Sequence, residues 1–383
     1  MQNVGVQWLV YQQTGSATWV GLATFAQFIP MFIFGPVGGA LADRWNRRRL
    51  LLAAQVWMMG WSVLLAALTL AGAISAPLVV ATVFALGIGF GFHGPTWQAV
   101  VPHLVPKAQL TQAIALNSAQ MSAARIVGPA IGGILIPLVG VGGVFVVNAL
   151  SYVAVLAAVV MLRLPATEPP DHERSILGDV NGGVRYAFEH RTLAWLLAAV
   201  LAVSLFAAPL VALLPVFAEH VLGGDARTLG MLTACLGAGS LMGALVLGEL
   251  GDRFRMPVLV GGGLTLLGAA TILVALMPLL GAMAVAATAA AVLATALFRL
   301  VTVSASNSAI QLRADDLFRA RVLSLMFLAF GAGFPIGSLL AGAAADGVGV
   351  QWVTGALGAL AVASGLIIGA KLERHEPHPP QSK

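Results

Sequence analysis

Residues 35–49 read GPVGGALADRWNRRR, and the interpretation of the whole chain depends on this stretch. It closes an apolar run, turns at an Asp-Arg pair and ends in a block of arginines. Lysine and arginine accumulate in the short cytoplasmic loops of membrane proteins, whereas the hydrocarbon core disfavours them. The stretch therefore indicates the cytoplasmic end of a transmembrane helix.

The composition predicts an all-α, polytopic membrane protein. Hydrophobic residues make up 59% of the 383 residues and charged residues only 9%, whereas a soluble domain has about 25% charged residues. A spanning helix takes ~20 residues, so the length suits roughly a dozen helices with short loops. The net charge of +5 does not indicate a nucleic-acid partner, because the basic residues lie between apolar runs. Cys235 is the only cysteine, which excludes an intrachain disulfide and a thiolate metal cluster.

The order of the apolar runs predicts the helices and the domains. Residues 1–11 are too few to span ~30 Å, so we expect that the first helix lacks its beginning or that the start is assigned wrongly. Glycine, proline or charge bounds each later run. The predicted helices 2 to 12 are residues 17–42, 50–71, 77–101, 111–137, 141–163, 192–219, 228–250, 257–278, 281–311, 317–345 and 348–370. The predicted domains are an N-terminal helical bundle at 1–163, a cytoplasmic linker at 164–190, a C-terminal helical bundle at 191–370 and a disordered cytoplasmic tail at 371–383.

The distribution of the 20 lysines and arginines determines the predicted orientation. If the loop after Arg44 is cytoplasmic, Arg227 is the only basic loop residue outside, while Arg125 and Arg299 lie within helices. The linker and the C-terminus are then cytoplasmic as well. We therefore predict a multi-pass protein of the cytoplasmic (inner) cell membrane, surrounded by lipid bilayer. We also predict that it is a monomer.

The two halves of the chain contain a weak internal repeat. Residues 39–44 read GALADR and residues 248–253 read GELGDR, each at the inner end of a predicted helix. A similar alignment places Gly128-Pro129 on Phe334-Pro335, and His93 on Arg299. The repeat predicts two pseudo-symmetric six-helix bundles related by an axis along the membrane normal.

Several motifs resemble those of the major facilitator superfamily. GALADRWNRR at 39–48 resembles the signature of the loop between helices 2 and 3, and GELGDRFR at 248–255 resembles its copy in the second half. GPAIGG at 128–133 resembles the G-P-x-x-G-G core of helix 5 in antiporters, although Ala115 and Ala124 replace upstream glycines of the longer motif. WLVYQQTGS at 8–16 is similar to the enterobactin-exporter and macrolide-efflux branch, in which WLVY lies in the second half of helix 1.

This resemblance implies a gate at the cytoplasmic end of helix 2. Small residues there would let helix 11 approach, and Asp43 would face the positive N-terminal end of that helix near residues 315–321. The arginines would pair with acids or carbonyls nearby, or they would only set the topology. The repeat copy at 252–253 would meet the start of helix 5, and a proline and glycines further along that helix would allow it to bend. The predicted gate residues are Gly39, Asp43, Arg44, Arg47, Arg48, Asp252, Arg253, Gly128, Pro129, Gly132 and Gly133.

One feature of the family's gate is missing from the sequence. The family often has an acid at the inner end of helix 4, where this chain reads VPHL at 101–104. Asp315 or Asp316 could substitute for that acid, or both could be plain N-caps of helix 11.

Polar residues within the predicted helices indicate a central cavity. An arginine at a helix centre costs about 2.5–3.5 kcal/mol on insertion scales, so Arg125 should face the interior, in a substrate or coupling role or in a structural pair. His93 could carry a coupling proton, since histidine titrates near physiological pH, or it could be structural. For the amides the alternative is ordinary interhelical hydrogen bonding. The predicted cavity residues are Arg125, Arg299, His93, Trp97, Asn117, Gln120, Asn3 and Gln7.

The sequence contains no G-x-x-x-x-G-K-[ST], H-E-x-x-H or G-x-S-x-G motif. We therefore expect no enzyme, no cofactor and no bound metal, and transport that uses an ion gradient or runs downhill. The resemblance implies a proton-coupled exporter of amphipathic small molecules, drugs or siderophores, that works by alternating access. An uptake carrier of the same fold and a non-transporting truncated remnant or scaffold are the alternatives.

Overall fold

The computed structural model describes residues 1–106, 109–162 and 184–375, with most of their side chains. Helices account for nearly all of these residues, and the described part contains no strand. We number the helices α1 to α12, in register with the predicted helices. Their bounds are α1 Gln2–Thr14, α2 Ala17–Arg44, α3 Arg47–Leu70, α4 Ala76–Val100, α5 110–139, α6 141–161, α7 Arg191–Val221, α8 Ala226–Leu250, α9 258–276, α10 Ala284–Arg313, α11 Asp316–Val348 and α12 Val350–His375.

The predicted all-α polytopic fold is confirmed. Nine helical stretches of the described residues are long and apolar enough to cross a membrane, and one of them, Val258–Arg313, contains both α9 and α10. Apolar runs of this length satisfy their backbone hydrogen bonds internally as helices, which is why hydropathy alone locates them.

Glycine separates helices that follow one another without a loop. The helical stretch Leu110–Met161 is interrupted at Gly140, whose φ of 71° and ψ of 171° lie outside the helical region. Gly15 ends α1 in the left-handed conformation, with a φ of 59°, and its N–H donates to the Tyr11 carbonyl. Residues with a Cβ rarely adopt these angles, so glycine determines where α1 and α5 end.

Some helices extend beyond their predicted ends to a basic residue. α2 reaches Arg44 and α10 reaches Arg313, because a guanidinium interacts favourably with the negative C-terminal end of a helix. α12 continues to His375, into the predicted tail, while residues 376–383 lie outside the described part. Most of the predicted linker, 164–183, also lies outside it, and its last residues, 184–189, are helical.

The first of two compact units consists of Met1–Arg174, Val211–Gly237 and Ser338–Val350. Within it α2 packs along α4 at backbone distance. A Cβ on Gly38 would lie 2.5 Å from the Gly91 carbonyl oxygen. Lipid supplies no hydrophobic force between helices, so close packing through small residues stabilises such pairs. α3 turns a buried face towards its neighbours, formed by Leu51, Gln55, Met58, Ser62 and Leu65.

The second unit consists of Ser175–Leu210, Ala238–Gly337 and Gln351–Lys383. An apolar cluster contributed mainly by α7, α9, α10 and α12 forms its core. Here too glycines bring backbones together, since a Cβ on Gly261 would lie 2.4 Å from the Gly369 Cα. The predicted domain boundaries at 163 and 191 stay a prediction.

Candidate gate and substrate residues

The arginine-rich stretch connects α2, α3 and α4 within the first unit. α2 ends at Arg44, and the Asn46 side chain caps α3 by accepting from the Arg49 N–H at 3.1 Å. Arg47 Nε donates to the Ala42 carbonyl at 3.1 Å. Its Nη1 lies 3.5 Å from the Ala99 carbonyl oxygen and 2.7 Å from His103 Nε2. Because a guanidinium only donates, that imidazole nitrogen accepts.

Arg47 thus contacts the end of α4 at which the acid that is frequent in the family is missing. The C-terminal end of α4 offers Arg47 a carbonyl and a histidine nitrogen in place of a carboxylate. Arg48 has a comparable role at the end of α6, where its guanidinium donates to the carbonyls of Val159 and Val160. Both arginines therefore satisfy carbonyls at helix ends, which a helix leaves without internal partners.

The other predicted gate residues of this loop are exposed or near-exposed. Asp43 and Arg44 are exposed, and a Cβ on Gly39 would meet only Pro95, at 3.9 Å. The predicted partner of Asp43 at the start of α11 belongs to the second unit, so the contact stays a prediction. In the repeat copy, Arg253 is exposed at the end of a 3-10 turn, and the side chain of Asp252 lies outside the described part.

The glycines of the GPAIGG stretch in α5 make close contacts in the first unit. A Cβ on Gly133 would lie 2.1 Å from the Gly230 Cα of α8, so the two backbones touch. Gly128 and Gly132 face Met1 at the start of α1, with Cβ distances from 3.3 Å. The helix remains continuous through Pro129 and breaks only at Gly140.

A hydrogen bond and a ring contact join three polar or aromatic residues of α4 and α5. The Trp97 indole N–H donates to Asn117 Oδ1 at 3.0 Å. The His93 ring stacks on the Trp97 ring with centroids 6.4 Å apart and an interplanar angle of 7°. Gln120 is exposed on the same helix as Asn117. The structure therefore brings together three residues that the sequence placed in one cavity.

Two amides of α1 lie against side chains of α2. Gln27 Nε2 donates to Asn3 Oδ1 at 2.7 Å, on the exposed side of α1. Gln7 is buried, with its Nε2 at 3.5 Å from Thr24 Oγ1, which fits the structural alternative for that residue. Sequence analysis missed Gln27, although a lone glutamine in an apolar helix was a signal for it.

Of the two predicted intramembrane arginines, Arg299 is half-buried in α10 of the second unit. Thr302 and Ser306, which follow it along the same helix, donate to carbonyls of α10 itself at 2.8 Å. The side chain of Arg125 lies outside the described part. No group of His, Cys, Asp and Glu that could hold a metal occurs among the described residues.

Comparison with known proteins relates this arrangement to membrane transporters. The model of the family described as transmembrane secretion effector matches residues 1–380. The multidrug efflux pump Tap of Mycobacterium tuberculosis is 29% identical over 376 residues, covering 95% of this chain and 87% of Tap. Macrolide efflux protein A of Streptococcus pyogenes is 24% identical over 270 residues, covering 70% of this chain and 66% of its own length.

Two further matches extend the comparison. The staphyloferrin A transporter of Staphylococcus aureus is 26% identical over 171 residues, covering 44% of this chain and 43% of that protein. The crystal structure of a bacterial homologue of the human lysosomal transporter Spinster superposes with a TM-score of 0.74 at 16% identity. That match covers 99% of this chain and 96% of the homologue, so the two share a fold.

Proposed function

We propose that this chain, which belongs to the transmembrane secretion effector family and is a transporter of the major facilitator type, exports amphipathic small molecules. The observation that carries the proposal is the similarity to a multidrug efflux pump over 95% of the chain. The similarity to a macrolide efflux protein supports the same class of substrate. The staphyloferrin A transporter supports siderophores as a second class.

The proposed mechanism is alternating access between two six-helix bundles in the cytoplasmic membrane. The arginine-rich loop, the linker and the C-terminus face the cytoplasm in this proposal, as the positive-inside rule favours. Asp43 and the arginines beside it act as the inner gate against the start of α11. The GPAIGG stretch of α5 supports the movement, because its glycines let α5 slide on α1 and α8 at backbone distance.

The substrate route in this proposal follows half-buried and exposed polar groups. His93, Trp97 and Asn117 offer it a stacked aromatic surface with an amide, and Asn3 with Gln27 adds two more amides. Neutral amides and flat rings suit amphipathic molecules that carry few charges. Arg125 and Arg299 would attract anionic groups, as siderophores have. Protons drive the export, and His93 is the proposed proton carrier.

Dye movement in inside-out membrane vesicles tests the proposal. Vesicles containing the chain should accumulate a fluorescent amphipathic dye when their interior is acidified, and an ionophore that collapses the pH gradient should stop the accumulation. His93→Gln should reduce this response, whereas His103→Gln, which keeps an acceptor for Arg47, should not. Accumulation that continues unchanged without the pH gradient would contradict proton coupling, and net flux towards the cytoplasm would indicate an uptake carrier.

A further inference from the structure

We infer that Asp346 is a gating residue that holds the outer ends of α2 and α11 together, as the counterpart of the gate proposed at Asp43. The inference rests on the proposed function, in which the helix ends opposite the arginine-rich loop face outward. α2 begins at this outer end and α11 finishes there, and the residues concerned all belong to the first unit.

The carboxylate of Asp346 accepts hydrogen bonds from three consecutive residues at the start of α2. Oδ1 accepts from the backbone N–H of Ala17 at 2.7 Å, and Oδ2 accepts from that of Thr18 at 3.0 Å. The hydroxyls of Ser16 and Thr18 donate to Oδ2 at 2.5 Å and 2.6 Å. The first N–H groups of a helix have no partner within it. A side chain of α11 therefore supplies the acceptors that α2 needs.

Two glycines bring the helix backbones together beside this carboxylate. A Cβ on Gly342, one turn before Asp346, would lie 2.4 Å from the Ala17 carbonyl oxygen. A Cβ on Gly21 would lie 2.5 Å from the Ser338 carbonyl oxygen, and Ser338 is completely buried. The hydrogen bonds of Asp346 thus close a contact that excludes even a methyl group.

Asp346 is favoured in this position only while α2 stays in place. It lies in the last turn of α11, where the partial negative charge of the helix end disfavours a carboxylate. If the outer ends separate, Asp346 keeps the unfavourable position at the C-terminal end of α11 and loses its donors. Its interactions therefore favour the closed arrangement specifically, as a gate residue must.

α2 and α11 end in the same five-residue pattern. Residues 39–43 at the end of α2 read GALAD, and residues 342–346 at the end of α11 read GAAAD. Each helix therefore ends with a glycine one turn before an acid. Because α2 and α11 run in opposite directions, each acid lies at the end where the partner helix begins. Asp346 caps α2 when the outer end is closed, and Asp43 caps α11 when the inner end is closed.

Thiol labelling of a buried position tests this inference without any substrate. The full-length protein is studied in right-side-out vesicles. It carries Cys235→Ser, so that it has no native thiol, and Ser338→Cys places a single thiol inside the outer contact. Its reaction with a membrane-impermeant maleimide measures how often the outer ends separate. Asp346→Asn preserves the shape, but it removes the charge and replaces one acceptor oxygen with an NH2 group that only donates, so labelling should become at least ~10-fold faster.

Asp225→Asn is the matched control for this experiment. Asp225 is another carboxylate at the outer end, but it accepts from the N–H groups of Arg227 and Thr228 in its own helix, α8. Removing its charge should leave the labelling rate of Ser338→Cys unchanged. A control variant that labels as fast as Asp346→Asn would overturn the inference, because charge loss anywhere at the outer end would then suffice.

A second variant keeps the test decisive if Asp346→Asn fails to insert. Ser16→Ala combined with Thr18→Val removes two hydroxyl donors and retains both N–H donors, so a smaller acceleration is expected. Labelling rates equal to the parent in the inserted variants would overturn the inference. If Asp346→Asn increases the labelling rate but the parent protein transports no dye in either direction, the inference is supported and the proposed function is contradicted.

Discussion

Arg47 shows how one residue can serve the local fold and remain compatible with a gate. Its guanidinium contacts carbonyls of α2 and α4 and the His103 ring. The sequence predicted that the arginines pair with acids or carbonyls, and the structure favours carbonyls for Arg47 and Arg48. The sequence could not distinguish these partners, because carbonyl acceptors belong to every residue and leave no trace in composition.

We expect Arg47→Ala to destabilise the first unit by about 2 kcal/mol. The change leaves helix-end carbonyls without a charged donor, and such hydrogen bonds contribute about 1.5–3 kcal/mol each when the donor is charged. The midpoint of thermal unfolding in detergent should fall accordingly. Arg49→Ala is the control, because the Arg49 side chain is exposed and its loss should change the midpoint little. Equal midpoints for the two variants would contradict the assignment of Arg47.

At the scale of the helices, hydropathy and charge predicted the order and most of the bounds. Apolar runs of ~20 residues must form helices in lipid, so α2 to α12 were predictable from the sequence. The neighbours of each helix were not. The GPAIGG motif indicates that Gly133 packs closely against another helix, but nothing in the sequence indicates that its partner is Gly230. For the same reason the pairing of Gln27 with Asn3 became known only from the structure.

The crossing of α5 and α8 should be sensitive to a single methyl group. A Cβ on Gly133 would lie 2.1 Å from the Gly230 Cα, a distance that forces the helices apart. Overpacking of this kind costs about 1–3 kcal/mol, so Gly133→Ala should lower the unfolding midpoint and slow dye transport. Gly60→Ala is the matched control in α3, where a Cβ has open space and alanine favours the helix. A Gly133→Ala variant as stable and active as Gly60→Ala would refute the close crossing.

At the scale of the whole molecule, composition predicted a polytopic helical fold, and the motifs predicted the family. Asp346 could not be assigned a role from sequence, because its donors on α2 lie more than three hundred residues away in the chain. Long-range pairing of this kind depends on how helices pack, which neither hydropathy nor local motifs encode.

The two caps on α2 and α11 should have opposite effects on the molecule. Asp43→Ala weakens the proposed inner cap, so it should favour the arrangement with a closed outer end and slow the labelling of Ser338→Cys. It should also reduce transport while membrane insertion stays normal, which immunoblotting of isolated membranes measures. Combining Asp43→Ala with Asp346→Asn should return the labelling rate towards that of the parent. Faster labelling with Asp43→Ala alone would contradict the reciprocal arrangement of the caps.

The most direct measurement of the central claim is dye transport by purified protein in proteoliposomes with an imposed pH gradient. The account predicts that the dye accumulates against its own gradient on the side with more protons, that protons move in the opposite direction with it, and that both fluxes vanish without the protein. Dye movement that only equalises concentrations, at the same rate with and without the pH gradient, would contradict a proton-coupled exporter.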